Sequence, residues 1–199
     1  MYKKKIFIIL FSFLFVTNTN ALIEVDITRG NLNPLPIAVS PLSIDDESRI
    51  KFEKILKKKD LGSEISIIVE NNLETSGLFN PLDKNAFLQA PDIANLKPRF
   101  EDWNLIKAQA LITGKVNLID NKLRVEFRLW DVLAGKEMMA LAFTTVPTNW
   151  RRVGHIITDK VYERLTGEKG YFDTRIIYVA EEGPKIQRIK KLAIMDQDG

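Results

Sequence analysis

The clearest hydrophobic pattern in the chain lies between residues 61 and 83. Apolar side chains there recur at spacings of three and four residues, and one polar residue shares their stripe: Ile65, Ile68, Val69, Asn72 and Leu73. This spacing predicts a helix from Ser63 to Ser76 that packs one face against a core. Ser63 is expected to cap its first turn, and Gly77 is expected to end it in the left-handed conformation.

Further along the chain, apolar and polar residues alternate with a period of two. Residues 112–118, 123–129 and 136–145 alternate apolar and polar side chains, with Asp120-Asn121 and Ala134-Gly135 as turns between them. This pattern predicts an antiparallel meander with one apolar face. Residues 150–165 return to helical spacing, with Thr148 or Asn149 as candidate caps and Gly167 at the end. The predicted fold class is therefore α/β (α+β), a mixed sheet with a meander covered by two helices.

The segments before the first helix have weaker patterns. Residues 22–29 alternate as a half-buried strand would, and residues 36–42 form a short apolar strand with a proline near each end. Prolines at these positions predict short pairing or an edge strand. Whether these early strands pair with the meander is left open. Residues 43–60 are rich in charge and fit either a solvated loop or a marginal helix, with Lys57, Lys58 and Lys59 on a solvated face.

Two further strands follow the second helix, at residues 175–180 and 187–195, with a turn at Gly183-Pro184. The second strand ends at Asp196-Gln197-Asp198-Gly199. No partner strand is left in the sequence for this pair, and an isolated hairpin is marginally stable in water. We therefore expect the natural chain to continue beyond residue 199.

The first 21 residues carry three lysines, an apolar run from Ile6 to Val16 and a short polar end at Ala21. This arrangement predicts a signal peptide cleaved after Ala21, because a run of eleven residues is too short to cross a bilayer. Cleavage would leave 26 basic residues, the 29 of the whole chain less Lys3, Lys4 and Lys5, against 26 acidic ones. A neutral mature chain argues against nucleic-acid binding.

Residues that could support chemistry are few. The chain has no cysteine and a single histidine, His155, which is expected to be a satisfied or exposed helix residue. Glu24 and Asp26 on a terminal strand are not held as acid–base catalysis requires. Asp196 and Asp198 resemble the start of a calcium loop whose later ligands are missing. The sequence therefore predicts no catalytic, metal or cofactor site, no small-molecule substrate and no enzyme activity.

Two blocks carry a family resemblance: residues 76–83, Ser-Gly-Leu-Phe-Asn-Pro-Leu-Asp, and residues 165–180, which begin Leu-Thr-Gly-Glu-Lys-Gly-Tyr-Phe. Together they resemble the TolB family of the Tol-Pal system. The resemblance implies a periplasmic protein with an N-terminal α/β domain followed by a six-bladed β-propeller. It also implies a division into a signal peptide at 1–21, the α/β domain at 22–171 and the start of the propeller at 172–199.

The resemblance further implies a periplasmic adaptor that supports outer-membrane integrity and invagination during cell division. In this family the first mature residues bind TolA, and the propeller carries most of the site for the lipoprotein Pal. By position, the TolA-binding segment is Leu22, Ile23, Glu24, Val25, Asp26, Ile27, Thr28, Arg29, Gly30, Asn31, Leu32 and Asn33. A terminal strand of this kind could pair with the sheet edge of a partner. The alternative is a secreted solute-binding or protein-interaction module unrelated to Tol-Pal.

Overall fold

The computed structural model describes residues 33–199. The elements in chain order are strand β1 (Leu35–Val39), strand β2 (Ser43–Ile44), helix α1 (Asp46–Leu56), helix α2 (Leu61–Thr75), strand β3 (Phe79–Pro81), helix α3 (Pro91–Leu96), helix α4 (Phe100–Leu105), strand β4 (Ala110–Ile119), strand β5 (Lys122–Asp131), strand β6 (Lys136–Thr145), helix α5 (Trp150–Thr166), strand β7 (Arg175–Glu182) and strand β8 (Ile189–Asp196). Short 3-10 helices lie at Lys84–Ala86 and Pro147–Asn149. The predicted fold class is confirmed.

The sheet has the strand order β3-β1-β4-β5-β6, with β2 also paired to β4. Strands β1 and β2 run parallel to β4, whereas β4, β5 and β6 form the antiparallel meander that the alternation predicted. The early strands therefore do pair with the meander. Of the two alternatives for the proline-bearing strand, short pairing is confirmed and the edge position is not: β1 pairs over three residues with each of β3 and β4 and lies between them. Proline lacks only a donor, and the Pro36 carbonyl still accepts from Gln109 N at 3.0 Å.

Helix α2 begins two residues before the predicted start. Asp60, and not Ser63, is its cap: the Asp60 carboxylate accepts from both the backbone N and the hydroxyl of Ser63. The predicted end is confirmed, since Gly77 adopts a φ of 71°. The apolar stripe is also confirmed, because Ile65, Val69 and Leu73 are buried in the main core.

Helix α5 packs beside α2, and the two helices cover the core side of the sheet. Gly154 permits this close approach, because a Cβ atom there would lie only 2.9 Å from Ile68 Cγ2. Gly167 ends α5 in the left-handed conformation, as predicted, with a φ of 76°. Asn149 occupies the cap position without capping through its side chain, which instead donates to Thr145 Oγ1 at 3.1 Å.

Residues 46–56 form helix α1, which decides between the loop and helix alternatives. Asp45 caps the helix by accepting from Ser48 N at 2.8 Å, and Phe52 packs into the main core. Lys58, predicted to be solvated, is only partly exposed: it pairs with Glu64 at 3.0 Å and lies 5.4 Å from the ring centre of Trp150.

The opposite face of the sheet carries a second apolar cluster that the sequence patterns did not predict. Its buried members are Ala38, Trp103, Ala108, Leu111 and Val132. The Trp103 indole donates to Gln89 Oε1 at 2.8 Å, which satisfies its polar atom in the buried site. Strands β7 and β8 form a separate two-stranded sheet, hereafter the hairpin, with Arg175 opposite Asp196 at its base.

Candidate functional site

The predicted partner-binding segment lies almost entirely outside the described residues. Residues 21–32, including the predicted cleavage site at Ala21, are not among them. Asn33 is described and is exposed, as is Pro34. The next residue, Leu35, is buried and donates its backbone N–H to Leu78 O at 2.9 Å. The predicted segment therefore leads directly into an inner strand of the sheet.

A polar cluster forms where the hairpin meets the helices. Residues 196–199, hereafter the corner, begin with the last residue of β8 and lie against α5. Arg151 Nη2 donates to Asp198 Oδ1 at 2.8 Å and to Oδ2 at 2.9 Å. The same guanidinium lies 3.7 Å from Asp196. The first turn of α5 thus supplies a cation to both corner carboxylates.

Next to this ion pair, side chains from both helices form a buried hydrogen-bonded cluster. Asn72 of α2 and His155 of α5 are each 2% exposed. Asn72 Nδ2 lies 2.9 Å from His155 Nδ1 and 3.2 Å from Thr158 Oγ1, whereas Asn72 Oδ1 accepts from Gln197 Nε2 at 3.0 Å. A single amide therefore connects α2, α5 and the corner. This connection explains why an asparagine occupies the apolar stripe of α2.

His155 is buried, and the structure shows its two ring nitrogens in different surroundings. With Asn72 donating to Nδ1, the neutral ring carries its proton on Nε2. That atom makes no hydrogen bond with the described residues, and it faces Asp198 Oδ1 at 3.6 Å. The expectation of a satisfied or exposed histidine is thus only half right: one nitrogen is bonded, and the other faces a carboxylate across a gap longer than a hydrogen bond.

The spacing of these groups invites comparison with a metal site. The candidate ligand atoms of His155, Asp196 and Asp198 lie within 4.8 Å of one another. However, with the Asn72 amide oriented as a donor to Nδ1, a neutral His155 would carry its proton on Nε2, the nitrogen that would have to bind the metal. Arg151 also already supplies positive charge to both carboxylates. The arrangement is therefore better suited to an internal ionic contact than to a cation.

A second contact holds the start of the hairpin against α5. The Asp159 carboxylate accepts from the backbone N–H groups of Phe172 and Asp173, at 2.6 and 3.2 Å. Arg152 donates to Asp173 at 3.0 Å, and this carboxylate raises the pKa of the Arg152 guanidinium. The Phe172 ring is buried against Tyr162, with ring centres 5.7 Å apart. Packing against α5 thus continues to residue 173.

The solute-binding alternative has weak geometric support. A cavity of about 290 Å³ lies beside Leu42 and Ser43, with Arg49, Asp60 and Asp92 among its lining residues. Small-molecule sites typically occupy roughly 300 to 1,000 Å³. This cavity is at the lower limit of that range.

No helix within residues 33–199 combines the length and the apolar character needed to cross a membrane.

Comparison with known proteins identifies the family. Residues 23–138 match the sequence model of the TolB amino-terminal domain. Over 179 residues the chain is 87% identical to the Tol-Pal system protein TolB of Pelagibacter ubique (strain HTCC1062). The chain belongs to the TolB family. The aligned part covers 90% of this chain and 40% of that TolB, so the relative is considerably longer.

The fold agrees with a solved TolB structure. The crystal structure of TolB from Acinetobacter baumannii matches with a TM-score of 0.67 at 24% sequence identity. The match covers 88% of this chain and 39% of that TolB. At this identity the likeness establishes the fold alone. The family resemblance in the two sequence blocks is confirmed, and the chain is similar to a component of the Tol-Pal envelope system.

Proposed function

We propose that this chain is a periplasmic adaptor of the Tol-Pal complex. It binds a TolA-like protein through residues 22–33. It binds a Pal-like lipoprotein through a propeller that begins with the hairpin. In this role it supports outer-membrane integrity and invagination during division. The observation that carries the proposal is the 87% identity to a Tol-Pal system TolB over 90% of the chain.

The way in which residues 22–33 join the fold supports their part in partner binding. The buried sheet begins at Leu35, and the two residues before it are exposed. The main core and the second cluster are made by described residues after position 34. A partner that takes up the preceding segment as an added strand would leave the contacts among these described residues in place. An alternating strand pairs through its backbone and presents its side chains to opposite faces.

The surface of the hairpin supports its part as the start of a larger sheet structure. Large apolar side chains on both strands are exposed: Ile177, Val179, Ile189, Leu192 and Ile194. A two-stranded sheet with an uncovered apolar surface is marginally stable alone. Additional strands packed against it would bury these side chains, as a propeller does for the strands of its blades.

Deletion of residues 22–33 tests the proposed recognition. The shortened chain should lose capture of a TolA C-terminal domain in calorimetric titration. Its circular dichroism and unfolding midpoint should stay close to those of the full mature chain, because we propose that the segment is a terminal strand that contributes few core contacts. Full affinity after deletion would refute the proposed segment. Loss of the fold would show that the segment is structural.

A further inference from the structure

Helix α5 holds the hairpin at both ends of its base. The chain enters the hairpin through Phe172 and Asp173, and it leaves through the corner at 196–199. Both points contact α5 within about two turns: Arg152 and Asp159 hold the entrance, and Arg151 and His155 face the corner. The two contacts differ strongly in their chemistry.

The entrance combines a buried aromatic contact with backbone hydrogen bonds to Asp159 and an ion pair between Arg152 and Asp173. Phe172 is 1% exposed, stacks on Tyr171 with ring centres 4.4 Å apart and meets the Tyr162 ring edge-on. The backbone before it is pressed onto the helix, since a Cβ at Gly170 would lie 2.4 Å from Asp159 Cα. Separating these groups would expose an aromatic side chain and leave an unpaired carboxylate. The entrance is therefore a fixed anchor.

The corner contact is polar and partly open to solvent. The side chains of Arg151, Asp196 and Asp198 are 38%, 34% and 27% exposed. No large apolar side chain of the corner is buried, because its residues are Asp196, Gln197, Asp198 and Gly199. Ion pairs at this level of exposure are weak and are screened by salt. Water can also replace the Gln197 amide at Asn72 once the corner leaves.

We infer that the corner is a releasable latch and that Phe172 is the pivot about which the hairpin moves. In the latched state Arg151 and Asn72 bind the corner, and His155 faces Asp198. In the released state the corner carboxylates and the polar groups of α2 and α5 are hydrated, while Phe172 remains buried. TolB relatives are longer than this chain, so in such a chain the latch would set the orientation of whatever follows residue 199. The inference does not depend on the identity of any partner.

The absence of cysteine from the chain makes a distance measurement straightforward. Two spin labels are introduced in the full chain, at Lys160 on α5 and at Leu192 on β8, both of which are exposed. Pulsed electron resonance then reports the distribution of distances between helix and hairpin. Arg151→Gln removes both ion pairs of the latch, whereas Asp198→Asn removes the shorter one and leaves Asp196 at 3.7 Å from Arg151. Arg188→Gln is the matched control, because it removes an ion pair of 2.6 Å to Glu181 within the hairpin itself.

The latch predicts one dominant distance at low salt. Asp198→Asn, Arg151→Gln and about 1 M salt should each increase a second, broader population by roughly two- to fivefold, the range expected for a partly exposed ion pair. Arg188→Gln should leave the distribution unchanged. Identical distributions in all variants would overturn the latch. Faster amide exchange within β7 and β8 of Asp198→Asn would overturn it as well, because the hairpin would then be unfolding instead of pivoting.

Discussion

Arg151 donates from one guanidinium nitrogen to both carboxylate oxygens of Asp198, across a separation of 47 residues. This pair links the first turn of α5 to the end of the hairpin, where the neighbouring Gln197 donates to the buried amide of Asn72. Helix α5 thereby acts both as the cover of the sheet and as the support of the hairpin. The central helix pair and the C-terminal strands are consequently one connected structure in the described chain.

Replacing Asn72 by leucine tests the buried polar connection. Asn72→Leu keeps the size of the side chain, but it leaves the buried His155 Nδ1 without its partner and removes the acceptor of the half-buried Gln197 amide. The free energy of unfolding should fall by about 1 to 3 kcal/mol, the cost of an unsatisfied buried polar group. Asn71→Leu on the exposed side of α2 is the matched control and should change it by less than about 0.5 kcal/mol. Urea unfolding measures both, and equal effects would contradict the assignment.

Phe172 provides a test of the fixed anchor. Phe172→Ala should lower the free energy of unfolding by about 3 kcal/mol, because it removes a buried aromatic ring. Tyr171→Ala removes a neighbouring ring that is 46% exposed, and its effect should be less than half as large. Thermal unfolding followed by circular dichroism compares the two variants. A larger loss for Tyr171→Ala would show that the entrance to the hairpin is held differently.

The cap of α1 predicts a pH-dependent contribution. A hydrogen bond from Ser48 N–H is the main cause that lowers the pKa of Asp45 in the folded chain. A lowered folded pKa stabilises the fold above the unfolded value, about 3.9, and this contribution is lost as the pH falls through the folded pKa. Asp45→Ala should therefore cost about 1 kcal/mol at pH 7, and less once the pH falls through the lowered folded pKa of Asp45.

The control for this experiment is Asp46→Ala, which removes an adjacent exposed carboxylate in the first turn of α1. Its effect should be smaller at pH 7, since the Asp46 side chain does not cap the helix. Denaturant titrations between pH 3 and pH 7 give both differences. A cost for Asp45→Ala that grows as the pH falls would contradict the capping account.

Local periodicity predicted much of the fold. Helix α2, the meander and α5 each have a repeat that one segment displays by itself, and Gly77 and Gly167 end their helices as expected. The position of β1 in the sheet could not be predicted from local periodicity, because its pairing with β3 and β4 depends on long-range packing. The two prolines predicted either short pairing or an edge position, and β1 is an inner strand that pairs over only three residues with each neighbour.

The contacts of the corner could not be predicted from the sequence either, because they also depend on long-range packing. Asn72 was visible as a polar residue in an apolar stripe, which could have signalled a buried partner. Its partners His155 and Gln197 lie 83 and 125 residues away, and no local pattern connects them. The partner-binding segment is the opposite case. Residues 22–32 were assigned from alternation and resemblance, and that assignment stays a prediction.

Calorimetric titration of a TolA C-terminal domain into three forms of the mature chain tests the proposed recognition most directly. The forms are the unaltered chain, Val25→Pro and Glu24→Ala. Proline removes one backbone donor and blocks one ladder bond, whereas Glu24→Ala changes only a side chain. The account predicts that Val25→Pro weakens binding at least about tenfold, and clearly more than Glu24→Ala, with unchanged circular dichroism. Equal affinity of all three forms would contradict recognition by strand pairing through residues 22–33.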